Sequence, residues 1–152
     1  MSVDARQLEL FVDNLSRAQR ELPELMKQII VGEGVYATGQ AKKICKDEKI
    51  VRTGNLRNSF HTDPSPSING TQLYIEVHNN ADYASHVEYG HLAVGRGRGS
   101  LHGRRRAAMQ GGRFVRGKYI LTRAIERTRA TQPGRINRKL SRFIKQHFGG
   151  DT

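Results

Sequence analysis

Carboxylates are missing from a long part of this chain: no Asp or Glu occurs between Tyr89 and Ile125. Tryptophan is absent altogether, and cysteine occurs once, as Cys45. A single thiol excludes an internal disulfide and a structural zinc site built on thiolates. It fits a reducing, cytoplasmic setting, with Cys45 reading as a small buried apolar residue rather than a nucleophile. No apolar run approaches the ~20 residues needed to span a bilayer, so no membrane partner is expected. The opening Met1-Ser2-Val3-Asp4 lacks the basic-then-apolar layout of a signal peptide, and none is expected. The hydrophobic share is a low 36%, yet apolar periodicity at both ends separates the chain from a disordered one.

The charge is segregated. Up to Glu88 there are ten Lys/Arg against twelve Asp/Glu, a net of −2; from Tyr89 onward sixteen stand against two, a net of +14. The basic half opens with Gly95-Arg96-Gly97-Arg98-Gly99-Ser100-Leu101-His102-Gly103-Arg104-Arg105-Arg106. Concentrated positive charge on glycine-rich backbone is the electrostatic footprint of a polyanion partner. Arg96, Arg98, Arg104, Arg105 and Arg106 are the candidate contacts to nucleic acid phosphates, because guanidinium donors suit phosphate and glycines let backbone approach. The bland reading, a solvated charged loop, stands beside it.

Leu8, Phe11, Val12, Leu15, Ala18 and Leu22 recur at helical spacing after Asp4, an N-cap candidate. Pro23 suits the first turn of a helix, so a second one is expected to start there and run through Leu25, Ile29, Tyr36, Gln40 and Ile44. Its glycines, Gly32, Gly34 and Gly39, imply packing partners or close approach. Thr53 can cap one short turn, and Ser59-Phe60-His61-Thr62 reads as a strand. Asn69-Gly70 signals a hairpin leading into a half-buried strand over Thr71 to His78. Asp82 can cap a short helix that Gly90 stops. Arg113-Phe114-Val115-Arg116 reads as a returning strand. Two more helices are expected, one around Ile120, Ala124 and Ile125 and one around Ile136, Leu140, Phe143 and Ile144, parted near Pro133-Gly134.

The order of elements is α+β rather than alternating βαβ. The expectation is a single domain over 1–152. It has long N-terminal helices in 1–46, a small antiparallel sheet with short helices in 53–116, and C-terminal helices in 117–148. The long Gly/Arg-rich loop 91–112 interrupts the sheet region.

Competing chemistries fail on spacing. The Gly/Arg run lacks the Gly-Lys-Ser/Thr of a phosphate-binding P-loop and does not follow a buried strand as a dinucleotide fingerprint does. His86 and His91 are five apart and do not share a helical face, so with Glu88 they make a poor metal site. Ser59 and Ser85 beside His61 and His86 carry no oxyanion-loop signature. A nuclease needs clustered carboxylates for metal ions, and the basic half holds only Glu126 and Asp151. No catalytic residue, metal or cofactor is expected. Tyr74, Tyr83, Tyr89 and Phe114 read as core or interface residues before they read as base-stacking platforms.

Two segments together carry a resemblance. Thr53-Gly54-Asn55-Leu56-Arg57-Asn58-Ser59, followed by Tyr83-Ala84-Ser85-His86-Val87-Glu88-Tyr89-Gly90-His91, resembles the paired signature of neck, or head–tail joining, proteins of tailed bacteriophages, also described as tail-completion proteins or minor tail components. The return segment Gly112-Arg113-Phe114-Val115 and the helix beginning Tyr119-Ile120 fit the same pattern, which covers roughly Leu25 to Arg129. The longer arginine-rich loop and the extra basic helix after Pro133 depart from it.

The resemblance implies a non-enzymatic virion protein that forms a homo-oligomeric ring, expected to be hexameric. It implies adjacent tail terminator or tube proteins and head-completion or connector proteins as partners, with non-specific DNA in the lumen as a further candidate, and assembly in the host cytoplasm. Thr53, Gly54, Leu56, Arg57, Ser59, Tyr83, Ala84, Val87, Glu88 and Gly90 become the motif and subunit-contact residues, with an Arg57–Glu88 ion pair expected between the motifs. The alternative is a free basic RNA- or DNA-binding protein of ribosomal-protein type, which explains the charge and leaves the motifs unexplained.

Overall fold

A computed structural model describes residues 5–50, 53–93 and 113–149. Helix α1 (Ala5–Asp47) and the C-terminal helix α4 (Ile120–Phe148) form its frame. At 1.5 Å per residue they are ~64 and ~43 Å long. Between them come α2 (Asn55–Asn58), β1 (Phe60–Thr62), β2 (Ser67–Asn69), β3 (Gln72–Tyr74), β4 (Val77–Asn79), α3 (Ala84–Tyr89), β5 (Gly90–Ala93) and β6 (Arg113–Arg116). The class is α+β, as the sequence indicates.

The two helices pack antiparallel. Arg123 meets Glu48 at 2.5 Å, Arg135 pairs with Glu33, and His147 Nε2 lies 3.2 Å from Glu21 Oε2, so positions rising along α4 meet positions falling along α1. Ala41 and Ala124, both fully buried, let the axes approach closely near one end. There Ile44, Cys45, Leu56, Phe60, Ala81 and Ile120 complete the core. Burial, with the nearby Glu48 carboxylate second, pushes the Cys45 thiol up, which makes it a poor nucleophile.

Both expected helix breaks are absent. Pro23 and Pro133 lie inside single helices rather than between pairs of them. Proline removes the bond to the carbonyl four residues back. Both prolines are exposed, so the freed carbonyls of Gln19 and Arg129 face a helix side open to water. The long mutual packing of α1 and α4 holds the axes on either side.

The expected single sheet is instead three separate antiparallel pairs: β1–β4, β2–β3 and β5–β6. The predicted strand over Thr71 to His78 is divided into β3 and β4 at Ile75-Glu76, although Leu73, Ile75 and Val77 still turn to the more buried side. The Asn69-Gly70 signal does mark a hairpin. Asn69 faces Gln72 across Gly70-Thr71, with positive φ only at Gly70, the pattern of a II′ turn. Gly34 serves close approach: a Cβ there would strike Thr62 Cγ2 and lie 3.0 Å from Ile75 Cγ2. The neighbouring Thr38 and Thr62 hydroxyls share a 2.5 Å hydrogen bond.

Strand β5 was not expected. It runs from the helix stop Gly90 through His91 to Ala93 of the predicted loop and pairs with β6, with Leu92 opposite Phe114 and His91 opposite Val115.

Candidate functional site

The two signature segments meet on one end of the helical frame. Motif one turns at Gly54 (φ 81°), where Asn55 N points at Thr53 Oγ1 at 3.5 Å. This sends Leu56 into the core, 4% exposed. Ser59 Oγ closes the turn by donating to Asn55 O at 2.8 Å. Asn79 then ties this segment to the next: its Nδ2 donates to Leu56 O at 2.8 Å and its Oδ1 accepts from Ala81 N at 2.9 Å. Asn79 is the last residue of β4. Its habit of bonding backbone two residues ahead was the available signal.

Motif two is helix α3. Its N-cap is Tyr83, without a side-chain cap, so Asp82 does not cap it. Ala84 and Val87 pack against the core. Gly90 ends the helix at φ 89° and ψ 172°, its N–H donating to His86 O.

Glu88 is the hinge of the arrangement. Its Oε2 accepts from Leu121 N at 3.0 Å, and its Oε1 from Thr122 N at 3.0 Å and Thr122 Oγ1 at 2.9 Å. These are donors of the first turn of α4, which otherwise lack acceptors, and a carboxylate there also faces the positive end of the helix dipole. Backbone bonds reinforce it: Lys118 N donates to Val87 O at 2.7 Å and Tyr119 N to Glu88 O at 3.1 Å. Tyr119 adopts a left-handed conformation, φ 50°, to turn the chain into α4.

The expected Arg57–Glu88 pair is not formed. Arg57 Nε donates to Asn58 Oδ1 at 3.2 Å, and the Glu88 carboxylate is already occupied by α4. Helix-start donors 33 residues away in sequence outcompete a guanidinium, a partnership with no local signature. Glu88→Ala is expected to lower stability by about 1–3 kcal/mol, because it removes the cap of α4 and strands the half-buried Leu121 N–H. Glu88→Gln, keeping one acceptor, should lose less. Urea unfolding of the two variants checks this, and equal midpoints for wild type and Glu88→Ala would count against the cap.

An apolar cleft of about 220 Å³ opens at the joint, lined in part by Phe60, Val77, Val87, Ile120 and Leu121. Among the described residues no group of three or more His, Cys, Asp or Glu is placed to hold a metal ion. The His86 and His91 rings meet edge to face at 5.5 Å, while Glu88 is engaged with α4. The site can fix geometry and receive apolar side chains.

Exposed apolar residues surround this joint and extend along α1. Tyr83, Tyr89, Leu92 and Phe114 are 40–66% exposed, so Tyr83, Tyr89 and Phe114 are not core residues. The helical face predicted at the N-terminus is real, yet of its six residues only Ala18 is buried: Leu8 is 61% exposed, Phe11 53% and Leu15 50%. Helix α4 ends at Phe148, whose ring lies 5.8 Å from Phe11, so the first turns of α1 project past it. Arg96, Arg98, Arg104, Arg105 and Arg106 lie outside the described residues.

A protein-family model described as "Bacteriophage HK97-gp10, putative tail-component" matches residues 10–90. That span runs from the projecting part of α1 through both motifs. No curated protein and no solved structure matches the chain.

Proposed function

The chain belongs to the HK97-gp10-like family of bacteriophage tail components, and from that premise we propose that it is a non-catalytic ring subunit at the neck, joining tail to head. Family membership makes it a structural tail protein of the virion. The neck position, the ring and its hexameric stoichiometry are our reading.

The observation that carries the reading is the exposed apolar surface. A stripe of Leu8, Phe11 and Leu15, each at least half exposed, is more than a monomer of this size needs to leave in water. The β5–β6 ribbon adds to it, because an isolated two-stranded pair is marginal in water and gains from a neighbour. Repetition of one such contact around an axis closes a ring when the rotation permits. The joint between the motifs would hold each subunit's contact surfaces at a fixed angle. The neighbours above and below would be a tail terminator or tube protein and a head-completion or connector protein, with the Gly/Arg segment turned to the lumen or to one of those rings.

The purified full chain is expected to have a solution mass near six times the 17.1 kDa of one chain. Leu8→Lys, Phe11→Lys and Leu15→Lys together should shift it toward monomer without loss of helical signal. Light scattering coupled to size-exclusion chromatography reads both, and imaging of labelled particles places the protein. A wild-type monomer at all concentrations, absent from particles and binding bulk nucleic acid, would replace this reading with the free nucleic-acid binder.

A further inference from the structure

We infer that the outward face of α4 is a phosphate-binding surface for double-stranded DNA, separate from the Gly/Arg segment. It deepens the neck proposal and rests on it for the source of the DNA. The charge count comes first. Of the sixteen Lys/Arg that follow Tyr89, eleven fall within 113–149, against one carboxylate, Glu126. Most of the positive charge therefore sits on β6 and α4 and their junction.

The cations of α4 sort by face. Three are taken by α1 and the turn that follows it: Arg123 by Glu48, Arg135 by Glu33, and Lys139 Nζ by Gln28 O at 3.3 Å. Arg127, Arg129, Arg138, Arg142 and Lys145 are exposed, and none is in an ion pair with a described carboxylate. At 3.6 residues per turn, Arg127, Arg138, Arg142 and Lys145 fall within about 60° of one another around the axis. They form a single stripe ~27 Å long, with Thr131 and Gly134 between them.

The composition of the stripe identifies the partner. A protein interface needs apolar or aromatic anchors at its centre, and this stripe offers only cations and small residues. The apolar side chains at this end of α4, Ile144 and Phe148, lie off it. Phosphate backbone asks for charge, reach and freedom from bulk, and no base-reading geometry is required. Along a duplex axis, ~27 Å spans about eight base-pair steps at 3.4 Å each. Each strand winds around that axis, so a straight stripe of cations meets phosphates of both strands where they cross the facing side.

The test uses the full chain and a fluorescein-labelled duplex of arbitrary sequence, titrated at several salt concentrations. Replacing Arg127, Arg138, Arg142 and Lys145 with Gln should weaken binding roughly a hundredfold near 0.15 M salt and flatten the log K against log salt slope by about 3–4. Arg127→Lys, Arg138→Lys and Arg142→Lys together keep the charge and should stay near wild type, which separates lost contacts from lost fold. An unchanged slope in the Gln variant overturns the inference, as does wild-type DNA binding combined with loss of an acidic protein partner. Ring mass and particle position, read in parallel on wild type, fail or hold independently of these slopes.

Discussion

Arg135→Ala is expected to destabilise the protein by about 3–5 kcal/mol, among the largest effects of any single substitution here. The guanidinium is bidentate to Glu33, with its Nε 2.9 Å from Glu33 Oε1, and its Nη2 also donates to Thr128 O at 2.9 Å. Its carbon lies 3.7 Å from the centre of the Tyr36 ring. The side chains of Arg135 and Glu33 are only 15% and 7% exposed, so truncating one leaves the other charged and poorly solvated. That stranded charge, rather than the worth of the pair, sets the size of the loss. Glu33→Leu with Arg135→Met should therefore recover most of it. The hydrogen bond to Glu33 pushes the Arg135 pKa further up. On the arginine side the contribution is thus fully present below the guanidinium range and is lost only in strong alkali. Urea midpoints of the two single variants and the double variant check this. A double variant as unstable as Arg135→Ala would show that packing at this crossing, and not a stranded charge, is responsible.

Gly90→Ala is expected to cost roughly 3 kcal/mol, because φ 89° with ψ 172° is a region essentially reserved for glycine. The space is closed as well. A Cβ at Gly90 would lie 2.5 Å from Val115 O and 2.8 Å from both Gly117 N and Phe114 Cζ. The first two are backbone atoms, of β6 and of the residue just after it, which cannot swing aside as a long side chain can. The damage should concentrate at the β5–β6 ribbon and the turn into α4. Hydrogen exchange should accelerate at residues 113–119 while the Arg135 region of the α1–α4 packing keeps its protection. Uniform loss of protection along both helices would mean that the ribbon and the frame unfold as one unit.

Several parts of this architecture could be read from local chemistry. The periodicity of α1, the hairpin at Gly70, the Gly54 turn and the stop at Gly90 depend on neighbours in the chain, and all appear where the residues placed them. The pairing of the two signature segments was legible too, as a pattern of order and spacing.

Other features are decided between residues far apart. Pro23 and Pro133 read as helix ends because proline costs a hydrogen bond locally, and only the contact between α1 and α4 makes each helix continuous. Glu88 looked like a partner for Arg57 because nothing near it shows that the unfilled donors of α4 lie at hand. Strand β5 is invisible without its partner β6, since four residues of mixed character have no period of their own.

The α+β class, the segregation of charge and the family are legible in the residues alone. Packing divides that charge: three cations of α4 turn inward to acceptors on α1 and the turn after it, four form a stripe facing water, and Arg129 is exposed apart from them. The physical reason is that a side chain's charge is written in the chain, while its partner is set by which face of a helix meets another.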